Sequence, residues 1–322
     1  MSKTALHLDP VYTQHDTGGG HPEDSARITA IIERLTADQL VGADNALTIP
    51  IKGREVTDDE ILRVHTDGYL KTVIKEIDGT TRGQLSTGDT VFSEDSLTVA
   101  RRAAGSLLDV TDAVVAGDSP NGFCAVRPPG HHATPDKGMG FCIFNNVAIA
   151  ARHAAAKHGM ERIAIVDWDV HHGNGTQDIF YEDPNVFFFS THQHPWYPGT
   201  GKHDETGAGK GKATTLNAPL PAGSGIEQVG KAFRDGFEKR MRDYRPDMVF
   251  ISAGFDSRIG DPLGNFTLSD EDFAALTGTL VEIAGEFAAG RLVSVLEGGY
   301  NLSGLASGVS AHLRALTAAS KE

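Results

Sequence analysis

The chain has 322 residues, is 39% hydrophobic and 22% charged, and carries a formal net charge of −14 at neutral pH. That acidity argues against a surface built to hold nucleic-acid phosphates or anionic lipid, but leaves a cationic protein or polyamine substrate open. Two cysteines cannot build a disulfide framework, no apolar run approaches the ~20 residues of a membrane span, and the N-terminus lacks a secretory pattern, so a cytoplasmic setting is expected.

Along the chain, helical periodicity appears at 25–36, 58–77 and 94–116, the last closed by Gly117. The apolar run Gly122–Val126 reads as a buried strand, followed by a helix at 145–158 and a strand at Arg162–Val166. Val186–Ser190 continues the strand series. Then come a helix at 226–243, a strand at Met248–Ser252, a helix at 269–288 with Ser269 as N-cap and Asp272 three residues on, a strand at Arg291–Leu296 and a helix at 301–316. Strands alternating with helices imply parallel βαβ units in one open sheet, where ligands gather at the carboxyl ends of the strands. No linker, repeat or low-complexity tract divides residues 1–322, which read as one domain. The 37 glycines cluster beside apolar runs, as expected of loops that approach a ligand closely.

Chemistry is concentrated just after four of these strands. Gly122–Val126 leads into Arg127-Pro-Pro-Gly-His131-His132, and Arg162–Val166 into Asp167-Trp-Asp169-Val-His171-His172-Gly-Asn174. Met248–Ser252 leads into Ala253-Gly-Phe-Asp256, and Arg291–Leu296 into Glu297-Gly-Gly-Tyr300. Such a polar rim is costly to assemble unless a metal or substrate compensates it. Asp169 and His171 are two apart at a strand end and point to one side in extended backbone, and Asp256 supplies a third ligand. Two carboxylates and one imidazole suit Zn²⁺ with an open position, and the oxygen-rich set also accepts Fe²⁺ or Mn²⁺. His131 and His132, fixed behind Pro-Pro-Gly, read as a general acid/base pair, and Tyr300 as a phenol reaching the site from a glycine hinge. Cys124 and Cys142 read as buried apolar residues, and His192, His194 and His203 as loop or rim residues. No Gly-x-Ser-x-Gly elbow, phosphate-binding Gly-rich loop or His-Glu-x-x-His motif is present.

The set RPPGHHA (127–133), GFCIFNN (140–146), VDWDVHHGNGTQDIFY (166–181), SAGFDSRIGDPLG (252–264) and EGGYN (297–301), with Gly20-His-Pro-Glu23 and Arg27, resembles the histone deacetylase family. The spelling around Asp169 and Asp256 is similar to the class II branch and its bacterial amidohydrolase relatives. The resemblance implies the single-domain arginase/deacetylase α/β fold, a mainly parallel eight-stranded sheet flanked by helices. It implies Asp169, His171 and Asp256 as zinc ligands, His131 and His132 as catalytic histidines, and Tyr300 as the group that hydrogen-bonds the substrate carbonyl. Asp167 and Asn174 are then the partners of His131 and His132; Asn174 stands where class I members carry Asp. The resemblance places Gly140, Phe141, Tyr197 and Leu263 along the acyl-lysine tunnel, with Tyr197 where the family usually has Phe, and Asp89 and Thr90 near the rim. A structural K⁺ is implied at Asp167, Asp169, His171, Ser190 and Thr191. The function implied is hydrolysis of N-acyl-lysine, in a peptide or protein, or of a similar small acylated amine, by metal-activated water. The rivals are an acetylpolyamine amidohydrolase, a catalytically silent binding module, and an arginase-like binuclear manganese enzyme that would need further carboxylate ligands. Neither a nucleic acid nor a membrane is expected as partner, and a homo-oligomer is compatible with the pattern.

Overall fold

The computed structural model of the protein describes residues 3–42 and 47–319. Its strands in chain order are β1 (Thr4–Leu8), β2 (Thr48–Pro50), β3 (Arg82–Gln84), β4 (Val91–Ser93), β5 (Asn121–Ala125), β6 (Ile163–Asp167), β7 (Val186–Gln193), β8 (Thr215–Leu220), β9 (Met248–Ala253) and β10 (Leu292–Leu296). The helices are α1 (Ala26–Ala37), α2 (Asp58–Ile61), α3 (Asp67–Ile77), α4 (Ser96–Ala116), α5 (Asn146–His158), α6 (Asn174–Phe180), α7 (Ile226–Ala232), α8 (Lys239–Tyr244), α9 (Asp270–Phe287) and α10 (Leu302–Ala319). A π-helical turn, Phe233–Glu238, joins α7 to α8.

Eight strands form one sheet in the order β2-β1-β5-β10-β9-β6-β7-β8, and every adjacent pair is parallel. Strands β3 and β4 pair separately as an antiparallel ribbon. Strands β5, β6, β7, β9 and β10 are buried along their whole lengths, because helices cover both faces. One covering layer is α4 with α5; the other is α1 with α9 and α10. The four strands that carry the sequence motifs are the four central neighbours, β5-β10-β9-β6, so their carboxyl ends open onto one place.

Local signals account for most boundaries. Ser269 accepts from the Asp272 amide and Asp272 returns the bond, a reciprocal cap that starts α9, and Gly117 ends α4 at φ 82°. The expected helix over 58–77 is broken. Glu60 and Thr57 cap the short α2, and Thr66 caps α3 afresh. Between them His65 turns inward to bond the Thr134 carbonyl and the Asn145 amide. Strand β7 runs three residues past the expected Ser190, since Thr191, His192 and Gln193 pair with β8. His192 is therefore buried in the sheet and not at a rim: Nδ1 lies 2.9 Å from Ser190 Oγ and Nε2 2.9 Å from the Gly201 carbonyl. His194 is half-buried and His203 exposed, both outside strands. Among the described residues no helix is long and apolar enough to cross a membrane.

Candidate active site

The loop after β5 delivers the two histidines. His131 Nδ1 lies 2.9 Å from Asp167 Oδ2 at the end of β6, and His132 Nδ1 lies 2.7 Å from Asn174 Oδ1 at the start of α6. The rings sit 4.0 Å apart between centroids, and both are buried. Glu297, at the end of β10, holds this loop. Its Oε2 accepts from the amides of Gly130 (2.7 Å) and His131 (3.1 Å), and its Oε1 from the Ser252 hydroxyl (3.0 Å).

Beside the histidines, Asp169, His171 and Asp256 offer ligand atoms that all lie within 4.8 Å of one another, every one on a buried residue. His171 Nδ1 is 3.0 Å from Asp169 Oδ1 and 3.2 Å from Asp256 Oδ2. The second oxygens are spoken for by backbone: Asp169 Oδ2 accepts from the Gly298 amide (2.8 Å) and Asp256 Oδ1 from the Val170 amide (2.9 Å). A Cβ on residue 298 would collide with the Asp256 and Asp169 carboxylates. Gly298 thus serves close backbone approach, where a hinge was expected; Gly299, at φ 121°, carries the turn.

Electrostatics set these groups apart. Burial, aided by Asp169, pushes the Asp256 carboxyl up to about 7. Burial would lower the His171 imidazole, but Asp169 and Asp256 outweigh it and push it up to about 10. Two buried carboxylates and an imidazole gathered this closely are costly without a cation among them, so this donor set fits a divalent ion. Burial also works against a charge on His131, yet Asp167, Asp169 and Glu297 hold its imidazole well above its ordinary value. On His132, burial and the neighbouring His131 and His171 act together, and the ring falls well below it.

A cavity of about 240 Å³ leads down to this cluster. His132, His171 and Tyr300 line it, with Phe141, Tyr197, Trp196 and Leu263. Gly140 and Phe141 both adopt positive φ, 57° and 68°, and a Cβ at residue 140 would strike the His132 ring. Asp89, also lining the cavity, accepts from the Gly140 amide at 2.6 Å and so braces that strained turn, whereas Thr90 is buried against the Cys142 carbonyl. The Trp196 indole donates to the Leu263 carbonyl at 2.9 Å, joining two loops of the rim.

Tyr300 is placed by residues to which sequence reasoning gave no role. Asp261 Oδ2 accepts from the Tyr300 and Asn301 amides at 2.7 and 3.0 Å. The Arg27 guanidinium lies 5.1 Å from the Tyr300 ring centroid and donates to the Glu297 and Gly299 carbonyls at 2.5 and 2.7 Å. Glu23, wholly buried, binds Arg27 at 2.8 Å and Arg127 at 2.5 Å. Glu297, Asp261 and Glu23 all fall inside the motifs quoted above; the available signal was an acidic residue in an apolar setting. On the far side of Asp167, Ser190 is its register partner on β7, and Ser190 and Thr191 are both buried.

Comparison with known proteins agrees with this geometry. The model of the histone deacetylase domain matches residues 21–316. The chain is 41% identical over 314 residues to the chloroplastic histone deacetylase 14 of Arabidopsis thaliana, covering 92% of this chain and 73% of that protein. It is 38% identical to a probable deacetylase of Archaeoglobus fulgidus (94% and 82% covered). It is 36% identical to the histone deacetylase-like amidohydrolase of Pseudomonas aeruginosa (90% and 75%). The crystal structure of the HDA15 HD domain superposes with a TM-score of 0.92 at 35% identity, covering 100% of this chain and 91% of that one. The chain belongs to the histone deacetylase family, with the all-parallel eight-stranded form of the arginase/deacetylase fold. It is a hydrolytic deacetylase.

Proposed function

We propose that the protein is a zinc-dependent deacetylase that hydrolyses N-acyl-lysine, or a similar acylated amine, to the free amine and a carboxylate, the whole chain acting as one catalytic domain. The observation that carries this reading is the convergence of three buried metal-type ligands, His132 and Tyr300 at the foot of one narrow cavity. Asp169, His171 and Asp256 would hold the ion, which when bound supplies Lewis-acid polarisation of the amide carbonyl and acidifies water. Asn174 Oδ1 accepts the Nδ1 proton of His132, leaving Nε2 as a lone pair. His132 is therefore the base that takes a proton from the attacking water, and it returns that proton to the amine as the C–N bond breaks. Asp167 keeps His131 cationic, and the Tyr300 hydroxyl donates to the carbonyl oxygen as negative charge builds there. Phe141 and Tyr197 hold the aliphatic stem of the substrate. Asp167, Ser190 and Thr191, with the backbone carbonyls of Asp169 and His171, are the site we assign to a structural potassium ion. The neutral Leu263 at the mouth favours acyl-lysine over a polycationic acetylpolyamine. A panel of acetyl-lysine peptides, acetylpolyamines and short acyl amides, run on zinc-reconstituted protein, tests this. Highest kcat/KM on the peptides is expected; highest kcat/KM on acetylpolyamines would overturn the substrate assignment.

A further inference from the structure

A second set of metal-type side chains lies outside the cavity, where α4 packs on α5. Asp112 on α4 places Oδ1 2.8 Å from His153 Nε2 and 2.6 Å from His158 Nε2, both on α5. The three ligand atoms lie within 4.8 Å of one another. Lys157 Nζ is 2.6 Å from the other oxygen, Asp112 Oδ2.

The buried Nδ1 atom of His153 is the telling feature. Its side chain is buried, and its Nδ1 has no hydrogen-bond partner, although Glu60 Oε1 stands 3.6 Å away. If Nε2 carries the hydrogen and donates to Asp112, the Nδ1 lone pair faces the Glu60 carboxylate at 3.6 Å. A neutral imidazole has one ring hydrogen and cannot donate both to Asp112 at Nε2 and to Glu60 at Nδ1. A cation on Nε2 removes the conflict: the single proton moves to Nδ1 and points at Glu60, the carboxylate–histidine–metal arrangement that fixes a ligating imidazole. Glu60 is itself fixed, by Arg54 at 2.7 and 2.8 Å and by the Thr57 amide at 2.9 Å.

We propose that Asp112, His153 and His158 form a second divalent-metal site, of the zinc class, that clamps α4 to α5 and plays no part in catalysis. Two imidazoles and one carboxylate suit Zn²⁺ at about 2.0–2.2 Å per ligand. The hydrogen-bonded distances need open by only a fraction of an ångström to admit it. His158 is partly exposed and gives the ion an entry path, with water completing the shell. Lys157, its side chain 53% exposed, is free to swing into solvent and is a competitor for the same carboxylate.

The test is zinc stoichiometry on the full chain. Chelator-stripped protein is titrated with Zn²⁺ by calorimetry, and bound metal is counted after gel filtration. Wild type should take two equivalents, and His158→Ala one, with its deacetylase kcat/KM unchanged. Asp256→Ala should also take one, and the double variant none. Lys157→Met should bind the second equivalent more tightly, because the competing ammonium is gone, and zinc should raise Tm in Asp256→Ala but not in the double variant. The proposal is overturned if His158→Ala does not lower the count below that of wild type. Failure of the catalytic assignment looks different: Asp256→Ala would then retain the wild-type count.

Discussion

Exchanging Asn174 for Asp tests which histidine is the base. Asn174 is buried, and its Oδ1 sits 2.7 Å from His132 Nδ1, while the cationic His131 ring lies 4.0 Å away. Two cations that close repel by about 4 kcal/mol at an effective dielectric near 20. A tenfold change in protonation is worth only about 1.36 kcal/mol, so burial and the proton on His131 together hold the His132 imidazole well below its ordinary value. The pair therefore holds one proton, and Asp167 decides that it stays on His131. A carboxylate at 174 gives His132 a partner of equal strength and should raise its pKa by about 1–3. A base works only when unprotonated, so the acidic limb of kcat/KM against pH should move to higher pH by that amount. Below the new limb, activity falls about tenfold for every further pH unit of acidification. The assay is the pH profile of acetyl-lysine peptide hydrolysis for both proteins at equal bound metal, read as a property of the coupled pair. An acidic limb that stays in place, or moves to lower pH, would refute the assignment of His132.

Tyr300→Phe should lower kcat by about 10²–10³ with metal content unchanged, since one oxyanion donor is lost; steady-state kinetics with metal analysis checks this. Gly298→Ala should lose both bound zinc at the catalytic site and turnover while its circular dichroism stays native, because the new methyl displaces the Asp256 and Asp169 carboxylates. Glu23→Gln should cost about 3–5 kcal/mol in urea unfolding, because Arg27 and Arg127 become buried cations without a counter-charge. Burial would raise the Glu23 carboxyl, but Arg127 and Arg27 hold it below its ordinary range. Its stabilisation is therefore complete above the ordinary carboxylate pKa and lost as pH falls through the lowered one, so the wild-type advantage should shrink on acidification.

The strand ends were legible because chemistry there interrupts apolar runs: Asp-x-Asp-x-His after Val166 and Tyr300 after Leu296 stand out without any alignment. The central sheet order was not legible, yet it is what places Asp256 beside Asp169, since β9 lies between β6 and β10. Strands β1, β2 and β8 escaped a reading by apolar runs. β2 spans three residues, and β8 carries Asn217 and Pro219, tolerated because it is an edge strand. The polar Ser-Thr-His-Gln end of β7 hid the burial of His192, whose partners, Ser190 and the Gly201 carbonyl, are polar groups that only the fold supplies. Asp261, Glu297 and Arg27 act on the site through backbone amides and carbonyls, contacts that side-chain spacing does not encode.

The central claim is that Asp169, His171 and Asp256 hold the ion on which deacetylation depends. Acetate release from an acetyl-lysine peptide should fall to background in chelator-treated protein and return on adding back zinc, while Asp256→Ala, folded as judged by circular dichroism, stays at background. Full turnover in the stripped wild type, or recovery of Asp256→Ala with zinc, would contradict it.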